Sequence, residues 1–295
     1  MSGVLHLSSS CWYGERMEDF LAAAGEAGIR RIELSGGMDR APRTARELRP
    51  WLDEGFAFSV HNYYPPPTPE EGGHFILNIA ATDRDLRGRS VAFAKRAMVL
   101  SAELGARMYS IHSGYLASMT LDPAGEHFVP RPGGTADRRE ALGALARSVE
   151  ELLEFGAGLG AGGLALENQF PPAHGPNHSL MCDLADARWL AERFAGSLHF
   201  LLDVAHASIA AAVLGFDLDE YVDGLLATGM VAGLHVSGNG PREDNHDLPD
   251  LGPAMAARLR LIRPHVRWAT LETRNHPFEA VAQRFHELEA LLETA

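Results

Sequence analysis

The chain has 295 residues, of which 46% are hydrophobic, a composition typical of a globular protein with a large core. Its 39 acidic and 26 basic residues give a net charge of −13, which argues against a protein that grips the nucleic-acid backbone, because that task needs a basic surface. Two cysteines exclude a disulfide framework and a Cys-x-x-Cys metal motif, and a single lysine, Lys95, weighs against Schiff-base chemistry.

The apolar runs and the N-terminal sequence bear on location. Every apolar run is far shorter than a membrane span, and the stretch MSGVLHLSSS lacks the basic and hydrophobic regions of a signal peptide. We therefore expect a cytoplasmic protein without a membrane partner. We expect a small-molecule substrate rather than nucleic acid, and the sequence leaves open whether the chain forms a homo-oligomer.

Short apolar runs alternate along the chain with segments of helical periodicity, such as SVAFAKRAMVLSAELG. Such runs between helices are typical of strands buried on both faces of a parallel sheet. The eight predicted strands are residues 4–8, 29–35, 57–61, 107–112, 163–168, 199–204, 231–237 and 268–273. Eight strand–helix units without a linker predict one α/β domain over residues 1–295, a single (β/α)8 TIM barrel.

Six of these strands carry a residue that can bind a metal at their C-terminal end. These residues are His61, His112, Glu167, Asp203, His235 and Glu272. A single buried strand has no reason to end on such a residue, whereas a ring of strand ends around one barrel mouth does. The connections from strand to helix are often long, and those from helix to strand are tight. One face of the barrel is therefore elaborated, and in this fold it is the C-terminal face, where active sites lie.

Four of these residues lie on the fifth to eighth predicted strands, which are neighbours around the barrel. They are Glu167, Asp203, His235 and Glu272. Three carboxylates and one imidazole can close around one divalent cation, whereas burying them without a cation or tight pairing would cost several kcal/mol. Carboxylate-rich sites favour Mn or Mg, with Co and Zn also accommodated. The sequence therefore predicts a metal site.

A second layer of candidate ligands surrounds these four. It consists of His61, His112, His206, Asp244 and His246. Together with the first four they are enough for two or three metals, and the added imidazoles would shift the preference towards Zn or Fe. The alternative is that the histidines of this layer bind substrate, and the residues alone leave both interpretations open.

The residues that follow the strand ends are predicted to shape the substrate pocket. They are Asn62, Tyr63, Tyr64 and Phe170. Arg274, two residues past Glu272, can hold a phosphate or carboxylate of the substrate, or form a plain salt bridge. Glu33, on the second strand, is expected to point at the barrel mouth and to orient His61.

These residues resemble the xylose isomerase-like superfamily of TIM barrels, which includes sugar isomerases and epimerases and the endonuclease IV family. The resemblance runs from about the second to the eighth strand. It rests on ALENQ (Glu167), LLDVAH (Asp203, His206), LHVSG (His235), DNHDLPDLG (Asp244, His246) and TLETR (Glu272). Similarity to the epimerase branch implies that the inner four residues bind one metal. It also implies that Glu167 and Glu272 are the catalytic acid/base pair that exchanges protons with a sugar.

The stretch FILNIAATDRDLRGRSVAFAKRAMVLSAELG, followed by SIHSG, is closer to the nuclease branch. In that branch the residues that match His61 and His112 join a three-metal cluster. Two departures are visible, because DVAH stands where the nucleases have DTCH, and DLPDLG replaces their glycine-rich ending. The acidic charge balance also suits a nuclease poorly.

The leading prediction is a divalent-metal-dependent isomerase or epimerase of a sugar or sugar-like small molecule, with proton transfer by metal-bound glutamates. The alternative is an endonuclease IV-like multinuclear hydrolase of phosphoesters, and an iron-dependent oxidase is favoured less. One divalent metal is expected and up to three can be held, with Mn, Zn, Co, Mg and Fe as candidates.

Overall fold

The computed structural model describes residues 4–294 except 15, 37, 39, 40, 68–72, 74, 107, 122–127, 132, 161 and 162. Arg107, the first residue of the fourth predicted strand, and both ends of the predicted 1–295 domain lie outside the described residues. Within the described part of the chain, no helix is both long and apolar enough to cross a membrane.

Eight parallel strands close into a barrel, as the sequence predicts, and they follow one another around it in chain order. The barrel strands are β1 (Leu5–Ser8), β2 (Arg31–Leu34), β3 (Ala57–His61), β4 (Met108–His112), β7 (Gly163–Glu167), β8 (Leu198–Asp203), β9 (Val231–Val236) and β10 (Trp268–Leu271). Because all eight strands are parallel, their C-terminal ends meet at one mouth.

Helices connect the barrel strands. They are α1 (Met17–Glu26), α2 (Ala45–Asp53), α3 (Arg84–Glu103), α4 (Arg138–Gly158), α5 (Leu184–Phe194), α6 (Val204–Leu214), α7 (Leu218–Leu226), α8 (Pro253–Ile262) and α9 (Phe278–Glu293). Aspartate side chains at the helix starts accept hydrogen bonds from backbone N–H groups, for example Asp83 from Leu86 and Asp137 from Arg139. Lys95 lies on α3 and pairs with Glu151 of α4, at 2.7 Å, consistent with a structural role.

An antiparallel pair of strands, which was not among the eight predicted strands, lies between β4 and α4. It consists of β5 (Met119–Leu121) and β6 (Phe128–Pro130). Met119 is buried with Tyr115 and Ala117, and Phe128 packs against this small cluster. The long connection after β4 therefore has a small core of its own.

The barrel interior changes from apolar to polar towards the mouth. Near the N-terminal ends of the strands, Met108, Ala165, Leu201 and Ala232 form a small buried cluster against Trp268. Two to four residues further along, the same strands carry His112, Glu167, Asp203 and His235, and Glu272 directly follows β10. The alternate strand residues, such as Leu164 and Leu166, join the large core beneath the helices. The apolar floor thus supports a polar layer above it.

Gly114, just past β4, is fixed by its surroundings. Its φ is +102°, and an added Cβ would lie 2.7 Å from Asn78 Oδ1 and 2.8 Å from the Cβ of Ala80. Gly105 has a similar φ of +72°, but nothing lies within 4 Å of an added Cβ. Substitution of Gly105 therefore measures the cost of backbone strain alone, whereas substitution of Gly114 adds the cost of a steric clash.

We expect Gly105→Ala to lower the free energy of unfolding by about 1–2 kcal/mol, the cost of a left-handed alanine. Gly114→Ala should lower the free energy of unfolding by at least about 1 kcal/mol more than Gly105→Ala does, because the neighbouring backbone and Asn78 must also move. Denaturant titration of both variants measures the difference, and equal losses would contradict the close packing assigned to Gly114.

Candidate metal centre

Nine predicted ligands converge at the barrel mouth in three adjoining groups. The inner group is Glu167, Asp203, His235 and Glu272, the strand group is His61, His112 and Glu167, and the loop group is His206, Asp244 and His246. Within each group, one ligand atom from every residue lies within 4.8 Å of the others. Glu167 belongs to two groups and joins them. That these residues hold metal stays a prediction.

The carboxylate of Glu167 is central to the cluster. Its Oε2 lies 3.4 Å from Nε2 of both His61 and His112. Its Oε1 lies 3.3 Å from His235 Nδ1 and 3.5 Å from His206 Nδ1. Both oxygens are buried, and neither has a hydrogen-bond partner among the described residues. A buried carboxylate surrounded at these distances by ring nitrogens, without hydrogen bonds, fits a site that takes a cation.

Hydrogen bonds orient three of the imidazole rings. His61 Nδ1 lies 3.0 Å from Ser110 Oγ, and His206 Nδ1 lies 2.9 Å from the carbonyl oxygen of Asn168. His235 Nε2 lies 3.2 Å from Glu33 Oε2. When each of these nitrogens donates its hydrogen, the other nitrogen of the ring keeps a free lone pair for a metal. Glu33 was expected to orient His61, but its hydrogen bond is made with His235.

Asp203 joins β8 directly to α6, with no loop between them. It ends the strand and caps α6, because its Oδ1 accepts a hydrogen bond of 2.7 Å from the backbone N–H of His206. Its Oδ2 is buried, has no hydrogen-bond partner, and lies 3.9 Å from His235 Nδ1. The cap fixes one oxygen and leaves the other directed at the cluster. It also places His206 one helical turn away.

The loop group is held by the connection between β9 and α8. Asp244 Oδ2 lies 2.9 Å from His246 Nε2 and 3.6 Å from His206 Nε2. His246 has a φ of +51°, and its carbonyl accepts a 2.7 Å hydrogen bond from the N–H of Arg274. The backbone of the loop is therefore tied to the strand end that carries Glu272.

Burial and charge shift the pKa values of the histidines in opposite directions. Burial lowers the pKa of His61 to about 3 and that of His112 well below its usual range. Burial also opposes the charge of His206 and His235, but nearby carboxylates outweigh it. Asp203 and Asp244 raise the pKa of His206, and Glu33 and Glu167 raise that of His235.

The carboxylates also differ in pKa. Burial raises the pKa of Glu167, despite its histidine neighbours. Burial has the same tendency at Glu272, but His246 and His235 lower its pKa well below the usual range. Asp244, which faces His206 and His246, likewise has a lowered pKa. The pKa values of the carboxylates, like those of the histidines, therefore shift in opposite directions within one buried cluster.

The predicted substrate-binding residues occupy different environments. Asn62 follows His61 with a φ of +44°, and its buried Oδ1 has no hydrogen-bond partner. Tyr64 is completely buried in the core, and its hydroxyl donates to the carbonyl of Pro42, which is the setting of a packing residue. The ring centroid of Phe170 lies 4.8 Å from that of His206.

Arg274 and Tyr63 also differ in what they contact. Arg274 is about half exposed, and its Nη2 lies 3.9 Å from Glu272 Oε1, so most of its charge faces solvent. The hydroxyl of Tyr63 accepts a 2.8 Å hydrogen bond from the N–H of Leu77 and thereby anchors the loop after β3.

The sequence analysis missed two polar residues just above the ligand layer. Gln169 lies two residues past Glu167, and Ser237 lies two residues past His235. Gln169 Nε2 and Ser237 Oγ are buried without hydrogen-bond partners. The two-residue spacing along a strand was the available signal, because alternate residues point to the same side.

The chain belongs to the xylose isomerase-like TIM barrel family, whose sequence pattern matches residues 21–293. No curated protein matches it in sequence.

Three solved structures share the fold at low sequence identity. A D-tagatose 3-epimerase-like protein is 18% identical with a TM-score of 0.69, over 99% of this chain and 97% of that chain. The TTHB071 protein from Thermus thermophilus, soaked with ZnCl2, is 22% identical with a TM-score of 0.61, over 99% and 98%. Endonuclease IV from Thermus thermophilus is 17% identical with a TM-score of 0.61, over 99% and 100%. At these identities the similarity establishes the fold alone.

We expect metal affinity to increase as pH rises from 6 to 8. The raised pKa values of His206 and His235 keep these rings protonated at neutral pH without metal, so a bound cation must displace protons. Each proton released strengthens binding by up to about tenfold per pH unit. Calorimetric Zn²⁺ titrations in buffers of different protonation enthalpy count these protons, and a pH-independent affinity would argue against displacement.

Proposed function

We propose that this chain is a multinuclear metal-dependent hydrolase of phosphoesters in small molecules. The observation that carries the proposal is the position of Glu167. Its two unpaired oxygens face different histidines and connect the strand group to the inner group. A carboxylate shared between two ligand groups suits a centre with two neighbouring cations, which is the arrangement that phosphoester hydrolysis uses.

The donor sets support divalent transition metals. Each of the three groups would hold one cation, and the mixture of imidazole and carboxylate favours Zn²⁺ or Fe²⁺, with Mn²⁺ and Co²⁺ compatible. When bound, such cations polarise a phosphoryl oxygen and lower the pKa of water. The remaining work belongs to the protein, which fixes the ligands and keeps bulk solvent out of a largely buried site.

Residues at the mouth suit a small polar substrate. The unpaired Oδ1 of Asn62 can accept a hydrogen bond from a substrate hydroxyl, and Phe170 closes one side beside His206. Arg274 supplies an exposed positive charge for a phosphate group. The net charge of −13 disfavours nucleic acid as the substrate.

Metal stoichiometry tests the assignment of ligands to groups. We expect purified wild-type protein to bind two or three Zn²⁺ per chain, as counted by elemental analysis after dialysis. Asp244→Asn should lose the cation of the loop group, whereas Glu167→Gln should lose two, because Glu167 belongs to two groups.

Glu151→Gln is the matched control, since Glu151 is an exposed residue of α4 that pairs with Lys95. It should bind as much metal as the wild type. Equal losses in Glu167→Gln and Asp244→Asn would refute the shared role of Glu167.

A one-metal isomerase or epimerase is the second candidate. The inner group is complete by itself, and both Glu167 and Glu272 approach His235 Nδ1, at 3.3 and 3.0 Å. Two carboxylates beside one cation could remove and return a proton on a sugar. In this case His61 and His112 would contact substrate, and the bound metal would number one per chain.

Substrate profiling separates the two candidates. We expect the metal-loaded enzyme to release phosphate or alcohol from small phosphoesters and to leave abasic-site DNA intact. Glu167→Gln should reduce the rate at least about a thousandfold, because it disrupts two ligand groups at once. Epimerisation of keto-sugars by a protein with one bound metal would overturn the hydrolase proposal in favour of the second candidate.

A further inference from the structure

Glu33 is a buried carboxylate that is not one of the nine predicted ligands, although it forms a fourth group with His61 and His235, whose ligand atoms lie within 4.8 Å of one another. It lies on β2, is completely buried, and reaches across the barrel interior to β9 and β10. Its Oε2 accepts a 2.9 Å hydrogen bond from Thr270 Oγ1 and also lies 3.2 Å from His235 Nε2, within hydrogen-bond distance, while its Oε1 lies 3.0 Å from the same nitrogen. Among the ion pairs of the described residues, His235 is the one partner of Glu33.

The contact determines which nitrogen of His235 can bind a metal. A neutral imidazole carries one N–H, and donating it from Nε2 to Glu33 leaves the Nδ1 lone pair free. Nδ1 is the atom that faces the inner group, 3.0 Å from Glu272 Oε2 and 3.3 Å from Glu167 Oε1. The hydroxyl of Thr270 holds the carboxylate in this position.

We propose that Glu33 is a positioning residue that fixes the ring and tautomer of His235 for metal binding through Nδ1. The proposal rests on the metal centre proposed above. A carboxylate behind a ligating histidine also makes that histidine a stronger donor, and loss of such a partner commonly weakens metal binding about ten- to hundredfold. Glu33 thus contributes to affinity without being a ligand.

The test is Zn²⁺ binding by Glu33→Gln, measured by competition with a chromophoric chelator. Gln has the size of Glu, but it lacks the negative charge. We expect the dissociation constant of the tightest site to rise about ten- to hundredfold, while the number of ions bound at saturation stays that of the wild type. The Co²⁺-loaded variant should also show shifted visible absorption bands, because the donor strength of His235 changes.

Two further variants keep the result interpretable. Ser59→Ala is the matched control, because Ser59 Oγ contacts His6 Nδ1 at 3.0 Å in the same barrel interior and makes no hydrogen bond to a candidate ligand among the described residues. It should keep wild-type affinity and absorption. Thr270→Val removes the other hydrogen bond of Glu33, so we expect a smaller loss of affinity in the same direction, and this variant serves if Glu33→Gln does not fold.

The outcomes separate this proposal from the metal centre on which it rests. Wild-type affinity and spectra in Glu33→Gln, with metal bound normally, would overturn the positioning role alone. A lower ion count at saturation would make Glu33 a ligand and would also overturn it. An equal loss of Zn²⁺ affinity in Ser59→Ala would also overturn the positioning role, because it would attribute the loss to a general disturbance of the barrel interior. A wild-type protein that binds no metal would defeat both proposals.

Discussion

The buried carboxylate of Glu167 is the constraint on which the rest of the site depends. Within the part of the chain that the structure describes it has no hydrogen-bond donor, yet four imidazoles lie within 3.5 Å of its oxygens. Removing one charge of this kind from water costs several kcal/mol, and a cation together with fixed polar partners can offset that cost. The other carboxylates at the barrel mouth would likewise be stabilised by positive charge.

The fold places most of the candidate ligands at strand ends or on a helix, and hydrogen bonds orient four of them. Asp203 is fixed as a helix cap, and the rings of His61, His206 and His235 are fixed by hydrogen bonds to other strands or to the backbone. Ligands held in this way need not reorganise when a cation arrives, so more of the binding free energy is realised as affinity.

The sequence predicted the eight strands and the convergence of nine candidate ligands, because strand periodicity and the parallel barrel together fix where strand ends meet. It did not predict partners across the barrel. The contact of Glu33 with His235 joins residues 202 positions apart, and nothing local in IRRIELS specifies it. Tyr64 was similarly misleading, since a loop tyrosine beside a ligand can equally turn into the core. The β5–β6 hairpin is short and was hidden by its Pro- and Gly-rich surroundings.

The most direct test of a multinuclear centre is anomalous diffraction at the zinc absorption edge from crystals of the Zn²⁺-loaded protein. The account predicts adjoining anomalous peaks at the barrel mouth, with Glu167 between the ion held by His61 and His112 and the ion held by Asp203, His235 and Glu272. A single peak within the inner group, with His61 and His112 free of metal, would contradict it.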